Sequence, residues 1–98
     1  MMTITEIRKA AEEAGSFFFS ADTMRFFKSR VHLTTYDGIF GTFFVTSEKF
    51  PSGERRFTVR LWDGFHVTTI GGDGLGGFGT SARAHASAKW AAKNVWVQ

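Results

Sequence analysis

Gly41-Thr42-Phe43-Phe44-Val45-Thr46, a break at Phe50-Pro51-Ser52-Gly53, then Arg56-Phe57-Thr58-Val59-Arg60-Leu61-Trp62 is the stretch whose reading decides the fold. Successive side chains of a strand point to opposite faces, so Phe57, Val59 and Leu61 share one side while Arg56, Thr58, Arg60 and Trp62 share the other. The pattern predicts two strands joined by a short loop, with one dry face. Asp63-Gly64 suits a tight hairpin turn, and Phe65-His66-Val67-Thr68-Thr69-Ile70 alternates again as a third strand.

Upstream, Arg30 to Tyr36 reads as a further strand, with Val31, Leu33 and Thr35 on one side and His32, Thr34 and Tyr36 on the other. Asp37-Gly38 turns the chain into the central hairpin. The connections are too short for crossovers, so the sheet is expected to be three- to four-stranded and mostly antiparallel. Val31/Leu33, Phe43/Val45, Phe57/Val59/Leu61 and Phe65/Val67 are the expected dry face. His32, Tyr36, Phe44, Arg56, Arg60, Trp62 and His66 then collect on the other. Phe43 and Phe44 compete for the core, and this leaves the register of their strand weaker than that of the next.

The helices carry their own signals. Thr3-Ile4-Thr5-Glu6 has capping-box spacing, Ile4, Ile7, Ala11 and Ala14 recur at helical steps, and Gly15 is a natural stop. After Phe17-Phe18-Phe19, which cannot all point inward, Ser20 can cap a short second helix in which Met24 and Phe27 would face the core. Thr80 or Ser81 caps a last helix running to about Asn94, with Ala84, Ala88, Ala91 and Val95 as its inward stripe. His85, Lys89 and Lys93 form a secondary basic stripe on another side, and Trp90 and Trp96 are expected to be covered. These elements predict an α+β domain with the helices packed on one sheet face.

Composition bounds the rest. The 98 residues make one domain from Met1 to Gln98, large enough for a single core. Twelve phenylalanines supply that core without disulfides, each contributing roughly 1.5 to 3 kcal/mol when fully buried. The absence of cysteine excludes a disulfide framework, a Cys-based zinc site and a thiol nucleophile, and it fits a reducing compartment. A net charge of +3 is a mild attraction for polyanions. No apolar stretch approaches the roughly 20 residues of a membrane span, and the N-terminus lacks a signal-peptide layout. The expectation is a soluble cytoplasmic domain with no membrane partner, no metal and no cofactor.

Gly71 to Gly79 is the most biased segment and reads as a mobile loop. Gly72, Gly74 and Gly77 match the dinucleotide pattern G-x-G-x-x-G, but no parallel strand follows the helix, and Val97 or the chain end stands where the acidic ribose ligand belongs. Catalysis would have to use His32 and His66, which this reading places on the same outer face. A binding surface asks for less. Tyr36, Phe44, Arg56, Thr58, Arg60, Trp62 and His66 would alternate cations with rings across an exposed sheet, a combination that suits phosphates and bases or a protein hot spot. The layout of sheet then helix is similar to the small DNA-binding domains of phage integrases and AP2-type factors.

The strings Asp22-Thr23-Met24-Arg25-Phe26-Phe27-Lys28-Ser29-Arg30-Val31, Phe43-Phe44-Val45-Thr46-Ser47-Glu48 and Arg55-Arg56-Phe57-Thr58-Val59-Arg60 resemble a family of short uncharacterised proteins encoded by bacteriophages and their hosts. The resemblance runs from about Ile4 to Lys93 and carries no assigned activity. It implies a phage accessory protein in a bacterial cytoplasm. The expected function is a non-enzymatic binding module, with host protein and nucleic acid nearly level as partners and homo-oligomerisation through a sheet edge as a third. The alternative from another class is a small-molecule pocket under the glycine loop or a hydrolase built on His32 and His66.

Overall fold

The computed structural model describes residues 2–71 and 77–94. Most of the glycine-rich stretch, including Gly72 and Gly74, and the terminal Val95, Trp96 and Val97 lie outside them. The elements are α1 (Ile4–Glu13), α2 (Ala21–Phe26), β1 (Arg30–Gly38), β2 (Gly41–Lys49), β3 (Arg55–Trp62), β4 (Val67–Gly71) and α3 (Ser81–Asn94). The strands form one antiparallel sheet in the order β1-β2-β3-β4. This is the expected α+β architecture.

The central hairpin keeps a regular register from Thr42↔Trp62 to Lys49↔Arg55. Phe43, Val45, Val59 and Leu61 pack against Ala84, Ala88 and Ala91 of α3, with Phe57 and Phe78 at the margin. The alanine stripe, at most 4% exposed, lets the helix backbone lie close to the sheet's side chains, since these helix residues contribute only methyl groups. Thr80 caps α3, its Oγ1 accepting from the Arg83 N–H at 3.3 Å.

The opposite face is not open. Ile4, Ile7 and Ala11 of α1 bury Phe44 and Trp62 there, with Phe18, Phe19, Val31 and Val67 around them. The expectation of helices on one face is therefore corrected to one helix on each face. Phe43 and Phe44 do not compete, because each enters a different core; every residue from Thr42 to Glu48 is buried. The capping box that starts α1 is complete, with Glu6 N–H donating to Thr3 Oγ1 at 3.2 Å and Thr3 N–H to Glu6 Oε1 at 2.9 Å. Thr35 Oγ1 donates to the Met2 carbonyl at 2.9 Å and clips the start of the chain onto β1.

The outer strands face differently from the expectation. Between Val31↔Thr46 and Thr35↔Phe44 the register shifts; β1 carries two more residues than β2 over that span and bulges. The two extra residues keep the parity of β1, and the Ile39-Phe40 turn, which pairs Tyr36 with Phe43, sends His32 and Tyr36 to α3 and Val31 to α1, with Leu33 exposed. On β4, Val67 pairs with Trp62 and lies in the α1 core, whereas Phe65 is 73% exposed in the turn. The expected dry-face roles of Val31/Leu33 and Phe65/Val67 are thus reversed or lost, since turn length sets the register between strands and lies outside an alternation rule. Of the Phe17-Phe18-Phe19 run, Phe17 is left in solvent and the other two pack on Phe44. Trp90, expected to be covered, is 64% exposed.

Gly41 closes the sheet at this end. Its φ is +147, and a Cβ there would overlap the Trp62 carbonyl. Gly41→Ala is expected to cost more than about 2 kcal/mol, because the β1–β2 turn and the Thr42↔Trp62 pair must separate to admit the methyl; the urea unfolding midpoint checks this.

Candidate functional site

The α1 face divides into two halves. α1 seals the half holding Phe44 and Trp62, which leaves Trp62 only 3% exposed. The other half forms the floor of a groove of about 1130 Å3. Its floor is Glu48, Thr58, Arg60 and Thr69; its rim is Phe26, Phe27 and Lys28 of the α2 end, Lys49 at the end of β2 and Phe50 and Pro51 of the β2–β3 loop, with Ile70 on the β4 side.

Floor chemistry is internally satisfied. Arg60 Nη2 faces Glu48 Oε1 at 3.3 Å, with side chains 16% and 10% exposed. Arg60 Nε donates to Thr46 Oγ1 at 3.0 Å and Nη1 to Thr69 Oγ1, while its guanidinium lies 5.1 Å from the Phe18 ring centre. Glu48 accepts further from Thr58 Oγ1 at 3.1 Å and Ser29 Oγ at 3.4 Å. Arg56 is likewise engaged, by Glu54 at 3.1 Å and by the Gly77 carbonyl. The Gly77 end is fixed by the Phe57↔Phe78 bridge, whose N–H···O distances are 2.9 and 2.6 Å.

These positions correct the expected site. Phe44 and Trp62 are core residues, and Arg56, Thr58 and Arg60 are held in hydrogen bonds rather than presented to solvent. Tyr36 is on the other face. His66 sits in the β3–β4 turn, paired with Asp63 at 3.0 Å, and does not share a face with His32. Asp63 also accepts from the Phe65 and His66 N–H groups at 2.9 Å each, and these backbone bonds, His66 first, hold its carboxyl below the usual carboxylate range. In the secondary stripe, His85 turns toward β1 while Lys89 and Lys93 stay exposed.

His85 makes a contact that sequence spacing could not show. Its Nε2 lies 2.8 Å from His32 Nδ1, and its Nδ1 3.0 Å from the Tyr36 hydroxyl. With both rings neutral both contacts are satisfied in either sense, Tyr36 to His85 to His32 or His32 to His85 to Tyr36, according to the tautomer. A proton on each ring at once would set N–H against N–H. Burial pushes both imidazoles below their usual range, and the neighbouring His32 pushes His85 further. The relay ties α3 to the β1 bulge. Among the described residues no group of three or more His, Asp or Glu could hold a metal ion, and no helix is long and apolar enough to cross a membrane.

The groove's rim was also hidden from the sequence reading, which sent Phe27 inward. α2 buries no residue; Phe26 and Phe27 are 80% and 49% exposed and pack edge-on at 4.8 Å. The available signal was the tandem Phe26-Phe27 on a helix too short to reach the sheet.

The groove and two-sided sheet define a small α+β protein with an internally neutralised floor. The chain belongs to a family of unknown function (DUF7447), whose profile matches residues 3–89. No curated protein and no solved structure matches it.

Two outcomes follow from these networks. Glu48→Ala is expected to destabilise by about 3 kcal/mol, because Arg60 keeps a nearly buried charge without its partner; Glu48→Ala with Arg60→Met should cost less than Glu48→Ala alone, a result that a double-mutant cycle in urea reads directly. The folded histidine pair favours the neutral rings, so the unfolded chain binds more protons on acidification. Stability should hold above about pH 7 and fall as pH drops past the unfolded value of about 6.5 toward the lower folded values. His85→Gln should flatten that slope in urea midpoints measured from about pH 7 to 5.

Proposed function

We propose that the protein is a small non-enzymatic binding module that grips a segment of a partner protein in the groove between α2, the β2–β3 loop and β4. The observation that carries this is the contrast between floor and rim. The floor guanidinium of Arg60 is already opposed by Glu48, so it does not offer an unopposed charge to phosphates, while Phe26 and Phe27 stand in solvent beside it. Exposed rings next to a concave surface are the features that mark protein contacts. Nucleic-acid binding instead needs a track of cations that neutralises several phosphates, and of the described groove-lining cations only Lys28 and Lys49 are unopposed.

The phage-type setting is part of the proposal and is supported by the string resemblance. A bacterial cytoplasm is its expected location, in keeping with a chain that has no cysteine.

Anilinonaphthalene sulfonate, an apolar probe, should fluoresce more strongly on binding the folded protein. Phe26→Ser with Phe27→Ser should remove most of that gain while the circular dichroism spectrum and melting temperature are kept. A mobility-shift titration with random-sequence single- and double-stranded oligonucleotides at low salt should show no shift. A shift that weakens as salt rises and disappears on Arg60→Ala would replace the protein partner with nucleic acid.

A further inference from the structure

The rim carries two cations that the fold leaves unused. Lys28 and Lys49 are exposed, line the groove, and have no ion pair among the described residues. Because Glu48 offsets Arg60 on the floor, these lysines leave the groove with an excess of positive charge at its edge. That edge adjoins Phe26 and Phe27, so charge and apolar surface are offered side by side.

Lys28 occupies a costly backbone position. Its φ is +49, and it is the one non-glycine residue at positive φ among the described residues. The same C-terminal closure ends both helices. In α1 it turns on Gly15 at φ +82, with Gly15 N–H to Glu12 O at 3.1 Å and Ser16 N–H to Ala11 O at 2.9 Å. In α2 it turns on Lys28, with Lys28 N–H to Arg25 O at 3.2 Å and Ser29 N–H to Met24 O at 2.9 Å. Glycine is the residue that this position ordinarily favours, and a strained side chain at the lip of a cleft points to use.

The strained residue is also braced from outside the helix. Arg55 Nη2 donates to the Lys28 carbonyl at 3.1 Å, while Arg55 Nη1 is anchored on Ser47 O at 3.1 Å and Ser47 Oγ at 2.8 Å. Lys49 N–H donates to the Phe27 carbonyl at 3.1 Å, which sets the two lysines at adjoining places on the rim.

We infer that Lys28 and Lys49 form an anion-reading edge and that the groove's occupant is an acidic segment of a partner protein, with a bulky apolar side chain beside a carboxylate. This rests on the binding-module reading. Charge complementarity selects the acidic group, and Phe26 and Phe27 select its apolar neighbour. The groove, at about 1130 Å3, has room for a short run of side chains.

The test is a ribosome-displayed library of random dodecapeptides selected in parallel on the full chain and on Lys28→Gly, Lys49→Gln and Phe26→Ser. The wild type should enrich peptides that place Asp or Glu next to an aromatic or leucine. The best of these, dye-labelled and followed by anisotropy, should bind about tenfold more weakly to each lysine variant. Lys28→Gly should at the same time melt at a higher temperature than wild type, so weaker binding with greater stability separates a binding role from a structural one. Enriched peptides that lack acidic residues, ignore both lysine variants and weaken only on Phe26→Ser would overturn the anion-reading edge while leaving the groove. No enrichment on the wild type would overturn the edge and the binding-module reading together. Tighter binding of decanoate or of an oligonucleotide than of every selected peptide would overturn the protein segment as occupant.

Discussion

The structure depends on two neighbouring rings pointing in opposite directions. Phe43 and Phe44 follow one another on β2, and strand geometry sends their side chains to opposite faces. Both are essentially unexposed, at 1% and 0%, so the sheet must be covered twice. α3 covers Phe43 with an alanine stripe, and α1 covers Phe44 with two isoleucines and an alanine. A sheet with a wet face could not hold this pair without leaving one ring in water, at a cost of roughly 1.5 to 3 kcal/mol.

The second core decides where charge can go. Arg60 lies on the same side as Trp62 and Phe44, and its side chain is only 16% exposed. A guanidinium in that place requires an opposing charge and several acceptors; Glu48, Thr46 and Thr69 supply them. The same network keeps the floor polar and satisfied. The exposed groups lie at the rim instead, where Phe26 and Phe27 stand in solvent and where Lys28 and Lys49 have no ion pair among the described residues.

His32, His66 and His85 show why site residues were harder to read than strands. The expected register places His32 and His66 together, yet the β1–β2 turn pairs Tyr36 with Phe43 and so sends His32 to the α3 face, while His66 lies in the turn before β4. The residue that meets His32 is His85, on a helix far along the chain. Nothing in local spacing links them, because the bond depends on how α3 crosses the sheet. Phe27 failed for a related reason: helical periodicity identifies a face, while the distance from that face to the sheet is set by the loops that hold the helix.

Local rules were enough for α1 and its capping box, for the α3 alanine stripe and for the antiparallel β2–β3 pairing, since each rests on contacts between residues close in the chain or on strict alternation. They also determined that Phe57, Val59 and Leu61 share a side. Tertiary packing alone decided that the side bearing Arg60 and Trp62 is also covered, that the histidine relay forms, and that a groove opens beside α2. Those outcomes depend on where whole elements dock, which balances buried apolar area against the need to satisfy every enclosed charge. Neither quantity is a property of a short stretch of residues.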